Sequence, residues 1–165
     1  MNTCALCGTE LDDIYCFFCE MELDKRYILK DGERLHQSKM FKGVPDRSLI
    51  FRSTKELMSM ETIDLLCLLR DARSFRAEVF KLRHLRHQAE RQGGYNDTVQ
   101  ELEDYSYKQY EDATRKVWVI ENIIKDRLGY YPERVTMNFL NMYIDRMEHS
   151  ERKKKNMIIA QSIKS

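Results

Sequence analysis

The sequence predicts a mostly helical protein: a small metal-held knuckle at the N-terminus, then a long antiparallel helical hairpin and a third, C-terminal helix. Three observations carry this. Two Cys-x-x-Cys pairs open the chain, Cys4 with Cys7 and Cys16 with Cys19. Apolar residues then recur at alternating steps of three and four over two long stretches separated by Gly93-Gly94. The 165-residue composition is 33% charged at net +1, with two prolines and six glycines, which suits solvated helices better than a many-stranded sheet.

Each cysteine pair can curl so that both sulfurs face one side, and two such knuckles make a tetrahedron. Zinc suits four thiolates at tetrahedral corners, and four protein ligands leave no position open for substrate. One structural zinc ion is therefore expected on Cys4, Cys7, Cys16 and Cys19. Gly8, directly after the first pair, can take positive φ and aim backbone amides at the sulfurs. A redox dithiol usually sits at a strand-to-helix junction of an α/β fold, which this chain does not spell, and paired knuckles favour zinc over iron or an iron–sulfur cluster. No export signal precedes the cysteines and no apolar run is long enough for a membrane span, so a reducing, cytoplasmic setting without membrane contact is expected.

The stretch from Cys4 to about Leu23 resembles the short zinc-ribbon modules that open many small prokaryotic proteins. These share Cys-x-x-Cys-Gly-x-Glu-Leu followed by Phe/Tyr-Cys-x-x-Cys, and here the same residues are Cys4 to Leu11 and Tyr15 to Cys19. The resemblance implies a bound metal and a miniature fold, and no particular activity. Glu20 stands where a second glycine is common. Residues 1–24 hold Glu10, Asp12, Asp13, Glu20, Glu22 and Asp24 with no Lys or Arg, and a zinc tetrathiolate adds a formal charge of about −2. Phosphates would be repelled, so protein is the expected partner of this module.

From Cys19 to Lys30, the spacing of Met21, Leu23, Tyr27 and Ile28 predicts a short exit helix ended by Asp31-Gly32, which closes a module over residues 1–30. Residues 31–52 form a linker or docking segment, interrupted by Pro45 and carrying the apolar run Leu49-Ile50-Phe51. Ser53-Thr54-Lys55-Glu56 is a capping box and starts the helical region, residues 53–150. Past a break near Ser59, a heptad-like, coiled-coil seam runs through Leu65, Leu68, Ala72, Phe75, Val79, Leu82 and Ala89, with Arg86 as its polar intruder. Beyond Gln92 to Asn96 a second helix begins at Asp97 or Thr98 and continues to Leu128, with Gly129 as its stop. Each long helix spans about 45 Å at 1.5 Å per residue, and the short glycine loop folds them back on each other. Charge agrees: Arg70 to Arg91 is net basic, whereas Asp97 to Asp112 is acidic. Pro132 suits the first turn of a third helix. Residues 151–165 are a basic tail, Arg152, Lys153, Lys154 and Lys155 followed by Met157-Ile158-Ile159, expected to extend that helix or to be disordered.

Several places invite a functional assignment. Arg70, Arg73, Lys81, His84 and Arg91 form a basic stripe on the first long helix that, with the basic tail, could track phosphates; its plainer role is a solvated face matched by the acidic helix. His84 and His87 are three apart and could bind a second metal, but no carboxylate or cysteine is placed beside them in sequence, so a solvent-exposed role is expected. Cys67, inside Leu65-Leu66-Cys67-Leu68-Leu69, behaves as a buried hydrophobe. No phosphate loop, nucleophile elbow or paired carboxylates with evident roles are present in the sequence, so an enzyme is not expected. Tyr95 and Asn96 sit at the hairpin tip, where a lever could enter a groove on a partner. A zinc module beside a two-helix arm looks loosely like the bacterial transcription factors that insert a coiled coil into the polymerase secondary channel, with a differently spaced finger and a different chain order. The functional expectation is a non-catalytic, zinc-binding adaptor or regulator, transcription-related by that likeness, that recognises another protein through its helical surfaces. A nucleic-acid binder is the alternative, and the heptad seam could also join two chains as a homodimer.

Overall fold

The computed structural model describes residues 1–36, 41–93, 97–153 and 155–160. Its contacts divide the chain into two units, Met1–Met40 with Ile144–Ser165, and Phe41–Tyr143. The whole is mostly helical, with a long helix pair and a set of short antiparallel strands near the N-terminus.

In the first unit, β1 (Asn2–Cys4) pairs antiparallel with β4 (Ile28–Lys30), Thr3 opposite Leu29. Likewise β2 (Tyr15–Cys16) pairs with β3 (Met21–Glu22), which folds the second cysteine pair into a tight hairpin. The expected exit helix is absent here: a 3-10 turn over Lys25–Tyr27 leads straight into β4. Asp24 starts that turn by accepting from the Arg26 amide. The open side of β1 then draws the following residues into a strand, with the Ala5 amide just past β1 finding its acceptor at the Tyr27 carbonyl. Leu23, Tyr27 and Ile28 satisfy helical spacing, yet they reach the core from extended backbone. That core is Cys4, Leu11, Cys16 and Leu23, with Tyr27 and Ile28 packed against it. So few buried side chains do not stabilise a fold unaided.

The C-terminal segment corrects a second expectation. Instead of continuing the helix, Met157 and Ile159 lie along the module: the Met157 amide donates to the Gly32 carbonyl at 3.1 Å and the Ile159 amide to the Gly8 carbonyl at 2.9 Å. The Glu10 amide in turn donates to the Ile159 carbonyl at 2.9 Å, making a parallel bridge between Thr9 and Ile159. Two glycines make this approach feasible. At Gly8 (φ +78°) an added Cβ would stand 2.7 Å from the Met157 carbonyl oxygen, and at Gly32 (φ +71°) 2.4 Å. Gly32→Ala is expected to release the segment at a cost of about 2–3 kcal/mol, from lost hydrogen bonds plus left-handed strain. Hydrogen exchange checks this: the Glu10 and Ile159 amides, protected in the parent chain, should exchange freely in the variant.

In the second unit, a 3-10 turn over Arg47–Phe51 seats Ile50 fully buried, within the stretch expected to be a linker or docking segment. The capping box forms as expected at α1 (Thr54–Ser59): Ser53 Oγ accepts from the Glu56 amide, and Glu56 accepts from the Ser53 amide at 2.9 Å. These bonds, with Arg52 beside the carboxylate, hold Glu56 below the usual carboxylate range. The two long helices are α2 (Thr62–Gly93) and α3 (Asp97–Leu128), packed on each other. Leu65, Leu68, Ala72 and Val79 of the expected seam are buried against a set that includes Ala113, Val117, Ile120 and Ile124. The seam does not continue: Leu82 is 66% exposed and Leu85 60%. Arg86, the polar intruder, spans the interface to the Leu102 carbonyl, and such a group admits no dry packing around it.

The third helix, α4 (Met137–Arg152), begins five residues after Pro132, later than expected. Thr136 Oγ1 caps it by accepting from the Phe139 amide at 3.1 Å. The preceding link is held out of helix by Arg73, whose guanidinium donates to the carbonyls of Pro132 at 2.9 Å and Glu133 at 2.8 Å.

Candidate metal centre

The four N-terminal cysteines converge. Cys4 Sγ lies 3.9 Å from Cys19 Sγ and Cys7 Sγ 3.5 Å from Cys16 Sγ, and all four sulfurs fall within 4.8 Å of one another. Sulfurs about 2.3 Å from a common ion at tetrahedral corners stand about 3.8 Å apart, so the spacing fits a metal ion. All four are free thiols.

Each knuckle has a local cause. In the first, the Gly8 amide donates to the Cys4 carbonyl at 2.8 Å and Gly8 adopts φ +78°. In the second, Glu20 occupies the corresponding place at φ +54°, a conformation that costs an L-residue about 1–2 kcal/mol. The sequence thus tolerates strain to close a turn around the sulfurs. Burial raises the Cys4 and Cys19 thiols above their ordinary value. Burial acts the same way on Cys7, but hydrogen bonding with the hydroxyl and backbone of Thr9 outweighs it and lowers that thiol to about 7.

What the spacing does to the residues between the cysteines was not anticipated from sequence. With both sulfurs of a Cys-x-x-Cys turned inward, the two intervening side chains point outward. Phe17 and Phe18 are accordingly 69% and 77% exposed, with Tyr15 stacked edge-on against Phe17 at 5.2 Å. Leu6, in the other knuckle, is exposed as well. The readable signal was the pair of large aromatics in the one place where a knuckle has no interior to offer them.

The other expected sites scatter. Tyr95, Asn96 and Lys154 lie outside the described residues. In the basic stripe, Lys81, His84 and Arg91 are exposed, and the Arg70 guanidinium rests on the Met137 sulfur. Arg73 faces inward and binds Glu121 at 2.7 Å together with the two carbonyls of the link. It is a clamp within the fold. Arg152, Lys153 and Lys155 are exposed, with Arg152 3.5 Å from Glu148. On the second long helix, Tyr105 and Tyr107 are exposed, with the Arg83 guanidinium 4.9 Å over the Tyr107 ring, and Tyr110 packs against Phe80. Cys67 is buried, and burial, with Asp64 and Asp71 nearby, pushes its thiol up to about 11. His87, unlike His84, has carboxylates around it, Glu90 and Glu103.

No protein-family model matches the chain, and comparison with curated proteins and with solved structures gives no match. Among the described residues, no helix is long and apolar enough to cross a membrane.

Proposed function

We propose that the chain is a zinc-dependent protein-binding adaptor in which the metal fixes the second knuckle and Phe17-Phe18 is the recognition tip. The observation that carries this is the exposure of those two adjacent rings on a turn that four metal ligands would make rigid. Rigid aromatic groups lose little entropy on docking and are typical interface anchors. Zinc is the ion assigned, because four thiolates in paired knuckles form a closed tetrahedral set.

Charge defines the partner. The rings belong to residues 1–24, which hold six carboxylates and no Lys or Arg, and a metal tetrathiolate adds negative charge. The complementary surface is a protein with an apolar pocket rimmed by Lys or Arg; nucleic acid, whose phosphates carry the same sign, is disfavoured at this end. The adaptor assignment thereby moves from the helical surfaces, where the sequence placed it, toward the knuckle. The exposed leucines and tyrosines of the hairpin are a secondary surface.

Capture from the source cell tests this with three baits. The parent chain should retain a protein partner in stoichiometric amount. Phe17→Ser with Phe18→Ser should lose it, with affinity down about 100-fold for two anchors at roughly 1.4 kcal/mol per tenfold, while keeping bound zinc. Tyr95→Ala with Asn96→Ala should retain it. Equal capture by the parent and the Phe17/Phe18 variant would reject the knuckle as the binding tip.

A further inference from the structure

We propose a second metal site, for a divalent first-row transition ion, formed by His87, Glu90 and Glu103 across the far part of the hairpin. His87 and Glu90, three apart, share one face of α2, and the antiparallel return of α3 brings Glu103 opposite them. His87 Nδ1 lies 3.0 Å from Glu103 Oε1 and 3.5 Å from Glu90 Oε2, and one ligand atom from each of the three residues falls within 4.8 Å of the others. Nitrogen and oxygen ligands about 2.0–2.2 Å from a shared ion stand about 3.3–3.6 Å apart at tetrahedral corners, so a small closure of the cluster reaches ligand geometry. Imidazole with two carboxylates is a donor set for zinc, cobalt, nickel or manganese.

A separate observation distinguishes this cluster from an ordinary ion pair. Glu90 Oε1 is, among the described residues, the one buried side-chain nitrogen or oxygen without a hydrogen-bond partner, on a side chain only 14% exposed. A protonated His87 between the two carboxylates would satisfy Glu90 Oε2 and leave Oε1 orphaned, at the cost a desolvated carboxylate oxygen carries. A metal ion bound by both oxygens of Glu90 satisfies the pair at once. Three protein ligands leave the remaining coordination positions to water or to a group from a partner. Such an ion would pin α2 to α3 where their apolar packing has already ended at Leu82.

Cobalt titration of the full chain separates the two sites by their chemistry. The cysteine site gives intense thiolate-to-cobalt charge-transfer absorption, and a nitrogen and oxygen site gives only weak ligand-field bands. The parent chain should bind two equivalents, the second without added charge transfer. His87→Ala and Glu103→Gln should each weaken the second binding at least about tenfold, leaving the charge-transfer band and the helical circular dichroism unchanged. The partly exposed Glu103 permits a conservative replacement that keeps the fold if His87→Ala perturbs it. Saturation at one cobalt per chain, or a second ion bound equally well by both variants, would overturn the proposal and leave a histidine–carboxylate ion pair.

Discussion

In a Cys16→Ser chain, residues 1–36 are expected to lose their fold while the hairpin of residues 41–143 keeps its helix. Serine is close to cysteine in size, so the loss reports the missing ligand rather than a cavity. Cys16 is fully buried in a small core whose other buried members, among the described residues, are Cys4, Leu11 and Leu23. Apparent zinc binding in comparable structural sites amounts to about 10–16 kcal/mol, far beyond what that core supplies. Chelation of the parent chain should have the same effect. Acid should as well, and the sign follows from the ligands: four thiols must ionise to bind, so lowering the pH returns protons to the sulfurs, releases the metal and unfolds the module. Amide exchange at Cys4, Leu11 and Leu23, read beside a nearly constant helical signal, measures the effect. A module that keeps those amides protected without metal would contradict it.

Arg73→Ala is expected to cost the hairpin unit about 2–3 kcal/mol. Its guanidinium holds Glu121 at 2.7 and 3.1 Å and the carbonyls of Pro132 and Glu133, with 21% of the side chain exposed. Removing it strands a Glu121 carboxylate that is 15% exposed and frees the link that precedes α4. Partial exposure keeps the cost below that of a fully buried pair. Denaturant unfolding measures it, and Arg73→Lys should recover only part of the loss, since one ammonium cannot reproduce the fork. An Arg73→Glu chain that fails to retain nucleic acid would therefore report a damaged fold before it reported a lost phosphate contact.

The features legible in the sequence were those written in short-range spacing. The cysteine pairs, the Ser53–Glu56 box and the long apolar periods each encode a local geometry, and the structure has the converging sulfurs, the helix cap and both long helices, with the apolar seam closed as far as Val79. What was not legible depended on distant partners. Leu23, Tyr27 and Ile28 fit a helix until the open side of β1 is considered, and the tail Met157 to Ile159 carries no mark of the Gly8 and Gly32 carbonyls that receive it. Leu82 and Ala89 keep the heptad step but lie beyond Val79, where packing has given way to Arg86. Arg73 and Lys81 look alike along a basic stripe, and only the return of α3 and the link turns one inward. The exposure of Phe17 and Phe18 was implicit in the knuckle spacing, since side chains between two inward sulfurs have nowhere else to go.

Everything proposed for the N-terminal unit depends on the four sulfurs sharing one ion. X-ray absorption at the zinc edge, on a chain loaded with a single equivalent of zinc, tests that most directly. The expected result is four sulfur neighbours at about 2.3 Å and no lighter ligand in the first shell. A shell of nitrogen and oxygen, or failure of the folded chain to retain zinc, would contradict it.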